Sequence, residues 1–545
     1  MSELREKEKI FPGILGKIGQ ILTPNILIII ILSFTIFIIA LYYKLEISTW
    51  IQSYIGPFDY PSFTFVYTNP EEVTKTWYFE VYQDASYYYV EYLDAFIDWW
   101  NPYGRYKNTP LDYYLYGPMF IYGLYFTYLL ISLALPGASR EFLVNNTVKF
   151  TALNFDCLSA VMIYLIISNF SSFKYSKIKK HLYGLIGAFA YIFMPMNLLY
   201  VDSYYLNIPQ MTFFTLLTVF LFMKKKYRLA AYSLSIAWLT KQMPLFILIP
   251  LFSYIWKTYD IKKAFKEFLR PFLVSFLIFS IPWIFITPLL YIGRIFAAGR
   301  PLYYGVNLTD TARGVTFAHT FLYIGSEGLA KFYYWINIAM VPFIITYAFV
   351  LFVGHFNAKK IGNNDSIFIY YITLIFVVVH TFISRGIFKY YDAFINPFLI
   401  LSSILLVDNL TKKIHINFNK KNSLSKDPWI KSSRINKEQI LVLMLNISLI
   451  VILTCIIYGF NWLIMITIRF VHPVFLLSLT ILLSLLMPSS YYKEVFKKES
   501  YTQLGKDFKE FFKYIGESIV RLYKRIENLV RRKKIIKEKD KYKDL

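Results

Sequence analysis

Four carboxylates stand among aromatic rings in residues 81–104, VYQDASYYYVEYLDAFIDWWNPYG: Asp84, Glu91, Asp94 and Asp98. A carboxylate can accept the proton of an attacking hydroxyl or bind sugar hydroxyls, and Tyr and Trp faces can stack on a sugar ring. Further on, Lys241 interrupts an apolar run within Thr240-Lys241-Gln242-Met243-Pro244, and Arg294, Arg300, Arg313 and His319 gather in 292–330. Such cations hold phosphate oxygens through charge-assisted hydrogen bonds. Acids, rings and cations together are the parts that chemistry on a lipid-linked sugar phosphate requires.

The elements that must position these residues are set by composition. The 545 residues are 57% hydrophobic, 20% aromatic and only 17% charged, with a mean hydropathy of +0.45, whereas soluble domains carry about 25% charge. Apolar runs such as 25–43 and 272–291 are long enough to cross a hydrocarbon layer of about 30 Å. The first lacks a small-residue cleavage site, so it reads as a retained helix. The expectation is an all-α polytopic membrane protein. Its net charge of +24 does not point to nucleic acid, because the basic residues fall in short stretches between apolar runs, as positive-inside topology requires. Cys157 and Cys455 both lie inside apolar runs, which leaves no disulfide framework or zinc site.

Basic stretches at the N-terminus, 174–180, 224–228, 257–266, 357–360, 411–421 and after 490 serve as a ruler for topology. If all face the cytoplasm, run 229–256 must be a hairpin of two short helices broken at Lys241–Pro244, and 113–134 must not cross. About a dozen helices result. The expected organisation is a cytoplasmic N-terminus (1–24), a membrane module (25–410) with external loops 44–148 and 292–330, a basic loop (411–439), a transmembrane hairpin (440–488) and a cytoplasmic tail (489–545). In the tail Phe508, Phe511, Phe512, Ile515, Ile519, Leu522 and Ile526 recur at helical spacing among Lys and Arg. That pattern predicts an amphipathic helix on an anionic leaflet.

The order of motifs resembles the GT-C superfamily of integral-membrane glycosyltransferases that use polyprenyl-phosphate sugars, and within it the catalytic subunits of GPI mannosyltransferase I and related hexosyltransferases. Over about residues 20–410 the chain presents Asp84, Asn101-Pro102-Tyr103, Tyr114-Leu115-Tyr116-Gly117-Pro118, Phe155-Asp156-Cys157-Leu158, Pro195 to Asp202-Ser203, and Lys241-Gln242-Met243-Pro244 followed by Pro250. It departs from the pattern in exchanging the central residues of the Cys-Asp-Leu motif and in having Gln83 where a paired acid often stands.

The resemblance implies a GT-C-like bundle that transfers mannose or glucose, with inversion, from a polyprenyl or dolichyl phosphate to a lipid-linked or surface glycan acceptor. Asp84 would be the general base. Lys241, with Arg385 and Lys389 of SRGIFKYYD, would hold the donor phosphate. Glu91, Asp94, Tyr103 and Tyr116 would line the substrate site, with Glu91 the reserve base, and Asp202 would either contact substrate or cap the following helix. Asp156 is assigned a supporting structural role, since an acid inside an apolar helix needs a partner. No cofactor or metal is expected. A prokaryotic plasma membrane is preferred to the endoplasmic reticulum. Two alternatives stay open: a lipid-glycan flippase or transporter, and oligosaccharyltransferase-like transfer of a whole glycan, for which Trp99-Trp100-Asn101 offers only a partial motif.

Overall fold

The computed structural model describes residues 24–55, 89–100, 116–171, 177–194, 197–202, 205–297, 321, 325–383, 392–421 and 465–541. Among them all regular structure is helical. Asp84, Tyr103, Arg385 and Lys389 lie outside the described residues, as does run 440–459.

Helix α1 (Pro24–Ile55) begins with proline, whose fixed φ suits a first turn. Its most apolar 18 residues within Asn25–Thr49 have a mean hydropathy of 2.8 and only 11% of them are buried; Ile28, Ile31 and Phe34 face outward, as lipid contact would require. The helix runs well past Tyr43 to Ile55. The expected loop beginning at 44 therefore starts inside a helix, because the charge of Lys44 is paired within the protein rather than exposed to water. Helix α2 (Val90–Trp99) is short, and α3 (Pro118–Ala134) again opens on a proline. Helix α4 (Arg140–Ser168) is capped by Ser139, whose hydroxyl accepts from the Phe142 amide at 3.3 Å. Helix α5 (Lys177–Ile192) stops ahead of Met194-Pro195, where a helix cannot easily pass, rather than continuing to 200. A π-helical turn (Asn197–Asp202) follows, then α6 (Ile208–Met223).

Helices α7 (Tyr227–Thr240) and α8 (Leu248–Thr258) form a hairpin. Continuing α7 would drive the Pro244 ring into the Thr240 carbonyl. The chain instead turns through an extended Lys241 and a 3-10 segment, Met243–Ile247. The two open ends meet, with the Tyr227 and Tyr259 hydroxyls 3.5 Å apart. At 1.5 Å per residue α7 is roughly 21 Å long, shorter than a hydrocarbon layer of about 30 Å.

The remaining helices are α9 (Ile261–Ile286, including a π-helical turn), α10 (Pro288–Ala297), α11 (Glu327–Ile338), α12 (Val341–Phe356), α13 (Ala358–Gly362), α14 (Asp365–Phe382), α15 (Asp392–Lys421), α16 (Met465–Leu486), α17 (Ser489–Val495) and α18 (Lys498–Lys541). Among the described residues four helices are long and apolar enough to cross a membrane: Asn25–Thr49, α4, α9 and α14. Glu327–Asn337 and Val341–Phe356, bent by 58° at the break, would together make a fifth if the pair is one span rather than a re-entrant loop. Several others, α3, α6 and Met243–Thr258 among them, are apolar but shorter.

The described parts of the basic stretches 174–180, 224–228, 257–266 and 357–360 are tied to neighbouring helix ends. Lys224 bonds Asn169, the Ser171 amide donates to Asp365 at 2.5 Å, and Lys179 pairs with Asp408 at 2.7 Å. Arg228 pairs with Glu267 at 2.5 Å, and the Asn357 side-chain amide reaches the Tyr491 carbonyl at 3.1 Å. The partners of helix α3 are Gln210 at the start of α6, Leu239 at the apex of the hairpin, and Phe279 and Trp283 late in α9.

Candidate functional site

Lys241 sits at the hairpin apex, 4% exposed. Its extended backbone releases the side chain from helical packing, and its ammonium donates to the Asn207 carbonyl oxygen at 3.1 Å. It also lies 5.7 Å from the centre of the Tyr116 ring. Asn207 ends the loop before α6, is buried, and has no hydrogen-bond partner for its side-chain nitrogen among the described residues. Two donors from distant parts of the chain thus stand side by side in a buried place, the arrangement an anion needs.

Tyr116-Gly117-Pro118 is held against this apex by close approach. A Cβ on Gly117 would fall 2.0 Å from the Leu239 carbonyl oxygen, so only glycine lets the start of α3 lie on the end of α7. The Tyr116 hydroxyl is 3.4 Å from that of Tyr89, which immediately precedes α2. From there rings continue outward. Phe96 packs on Trp100 and Tyr125 at 5.4 and 5.2 Å, and Trp283 donates its indole N–H to the Tyr122 hydroxyl at 2.9 Å.

On the outer side of α2, Arg140 bonds Asp94 at 2.9 Å and Asp98 at 2.7 Å, with all three side chains nearly half exposed. Hydrogen bonding and the charge of Arg140 hold the Asp98 carboxyl below its usual range. Glu91 goes the other way: partial burial, then the neighbouring Asp94, raise its carboxyl. Of the predicted sugar ligands, Asp94 thus has a structural partner in Arg140, whereas the Glu91 carboxyl is raised.

Asp156 and Asp202 occupy a separate, sealed place. Both are fully buried, and both pair with the equally buried Lys44 of α1, Asp202 at 2.5 Å. The Tyr191 hydroxyl donates to Asp156 at 2.5 Å, and the Asn197 amide approaches the same oxygen at 3.4 Å. Asn396 of α15 in turn bonds Asn197 at 3.1 Å. One lysine therefore joins α1, α4 and the π-helical turn into a polar knot. Sequence reasoning missed Lys44, which stands at the start of the expected external loop 44–148. The signal was available, since two acids inside apolar segments demand a cation. The segment from Asp202 to Asn207 links this knot to the Lys241 apex, and within it Tyr205 lies beneath Lys149 of α4, 5.9 Å from ammonium to ring centre.

Among the described residues no group of three or more His, Cys, Asp and Glu side chains is arranged to hold a metal ion. Lys241, Glu91, Asp94, Asp156, Asp202 and Tyr116 can be placed; Asp84, Arg385, Lys389 and Tyr103 lie outside the described residues. Lys241 and Tyr116 come together, Asp156 and Asp202 come together, and Glu91 and Asp94 share the short helix α2. No protein-family model matches the chain, and no curated protein is significantly similar to it.

Proposed function

We propose that the chain is an inverting hexosyltransferase that takes mannose or glucose from a polyprenyl or dolichyl phosphate and passes it to a lipid-linked or glycan acceptor on the outer side of the plasma membrane. The observation that carries this reading is the seating of Tyr116-Gly117-Pro118 directly on the Lys241 apex. In this reading the two motifs, more than a hundred residues apart in the chain, form one buried, ring-walled place for the donor phosphate. A GT-C-like bundle of about twelve helices, with a large first external loop whose α3 does not cross, accommodates that geometry.

In the proposed reaction Asp84, five residues before Tyr89, takes the acceptor hydroxyl proton. The freed oxygen forms a bond to the anomeric carbon as the bond from that carbon to the donor phosphate breaks. Lys241, assisted by Arg385 and Lys389, stabilises the charge on the departing phosphate. The Asn207 amide adds a donor beside Lys241.

The test supplies purified protein with a panel of polyprenyl-phosphate hexoses and native lipid extracts and follows new glycolipids by mass spectrometry. Asp84→Asn should abolish transfer while donor binding persists, and Lys241→Met should weaken donor binding. Normal transfer by Asp84→Asn removes the assignment. A lipid-glycan flippase is the second reading, and the Lys44–Asp156–Asp202 knot favours it, because buried intramembrane charges often serve translocation. Movement of intact glycolipid across a vesicle bilayer, without a new glycosidic bond, would select it.

A further inference from the structure

Helix α18 presents three different sides. One is docked: Asp507 is 5% exposed and pairs with Lys257 and, at 3.0 Å, with His355. On the same side Phe511 packs on Phe265 at 5.6 Å, and Tyr514 packs on it at 4.8 Å. A second side is apolar and open, with Phe508, Phe512, Ile519 and Tyr523 at 50%, 65%, 61% and 69% exposure. At about 100° per residue these four fall within an arc of roughly 60°, about a third of a turn from the docked side. Lys506, Lys509, Lys513 and Lys524 fall on the third side by the same count.

The docking contacts fix the level of this helix along the bundle. Lys257 is in the last turn of α8, His355 in the last turn of α12, and Phe265 near the start of the span Ile261–Ile286. Two helix ends therefore meet at Asp507 and a third at Phe511 and Tyr514, and ends of spans are where hydrocarbon gives way to headgroups. An apolar side at that level borders the lipid. The helix also carries fourteen Lys and Arg against seven Asp and Glu. That excess repels a second copy and attracts anionic headgroups, which the lysine stems can reach from beside the apolar side.

We propose that α18 is a two-sided clasp, held to the bundle through Asp507, Phe511 and Tyr514 and to anionic membrane lipid through the Phe508–Phe512–Ile519–Tyr523 side. Periodicity alone places an amphipathic helix on a surface. The structure adds which side takes lipid, and that the same helix grips the end of α8, whose other end is the Lys241 apex. The inference is independent of the proposed reaction.

The test uses full-length protein in nanodiscs of zwitterionic lipid or of lipid containing phosphatidylglycerol. Fluorescent probes are attached at Phe512→Cys, Ile519→Cys or Lys513→Cys, with Cys455→Ala and the buried Cys157 retained. In anionic discs the probes at 512 and 519 should lose access to aqueous iodide several-fold and be quenched by nitroxide lipids, while the probe at 513 stays accessible. Replacing Lys506, Lys509 and Lys513 by Gln should remove the dependence on anionic lipid with the 519 probe in place. Equal water access at all three positions in anionic discs overturns the proposal. So does protection that is the same in neutral discs, or protection that appears only with two copies per disc.

Discussion

Two carboxylate pairs in this protein are each held by one cation, and they teach opposite lessons. Asp156 and Asp202 share Lys44, and all three side chains are fully buried. Asp94 and Asp98 share Arg140, and all three are nearly half exposed. In the sealed trio no water can replace a lost partner, so removing the lysine strands two buried acids. At the rim, water and salt take over at once. Similar charges at similar distances thus make an internal joint in one place and a solvated contact in the other.

The largest effect is expected from Lys44→Met. It should destabilise the protein by about 3–5 kcal/mol, the range for breaking a buried pair, read as a large drop in melting temperature in detergent. The combined variant Lys44→Met, Asp156→Asn, Asp202→Asn should recover much of that loss. If Lys44→Met melts like the wild type, the contrast between the two trios is gone.

Gly117→Ala should come next. Its Cβ would meet the Leu239 carbonyl at 2.0 Å, so backbone must shift. A loss of about 1–3 kcal/mol follows from overpacking of this kind, with reduced binding at Lys241 as the companion readout. A melting curve that matches the wild type would show that α3 is not pressed against the hairpin.

An intermediate case tests the role of partial burial. At Asp507 burial pushes the carboxyl up, but hydrogen bonds from Lys257, His355 and Gln503 outweigh it and hold the group below its ordinary value of 3.8. A depressed folded value means the contribution is present above the unfolded value and lost as pH falls through the folded one. Tryptic cleavage cannot be run that low, so the check is pepsin. Cleavage within α18 should rise only as pH drops below about 3.8, and Asp507→Asn should be cut readily at all acidic pH values. An unchanged profile in Asp507→Asn would remove the clasp.

The smallest effect belongs to Arg140→Gln. Its melting temperature should match the wild type at physiological salt, with a difference emerging only at low ionic strength. A large salt-independent loss would show that the rim trio acts as an internal joint as well.

Much of the frame is legible in the residues. The run 25–43 must be a helix because nothing else satisfies its backbone in hydrocarbon. Pro244 ends α7 at Thr240 by steric necessity, so the broken hairpin can be read from Lys241–Pro244 alone. The candidate cation Lys241 follows from the same break. Other features are not legible. The end of α1 could not be placed at Ile55, because Lys44 and Glu46 look like the start of a wet loop. The tail's periodicity marked Phe508 and Phe511 alike, although Phe508 is half exposed and Phe511 packs on Phe265.

The sequence by itself therefore determined the helical class, the break at Lys241, the basic stretches and the acids that needed partners. These depend on local rules: backbone satisfaction, proline sterics and the cost of burying charge. Only the tertiary structure decided that Lys44 is the partner of Asp156 and Asp202, that Gly117 lies on Leu239, and that Asp507 joins the ends of α8 and α12. Each of those joins residues from separate helices, and many pairings satisfy the same local rules until packing selects one.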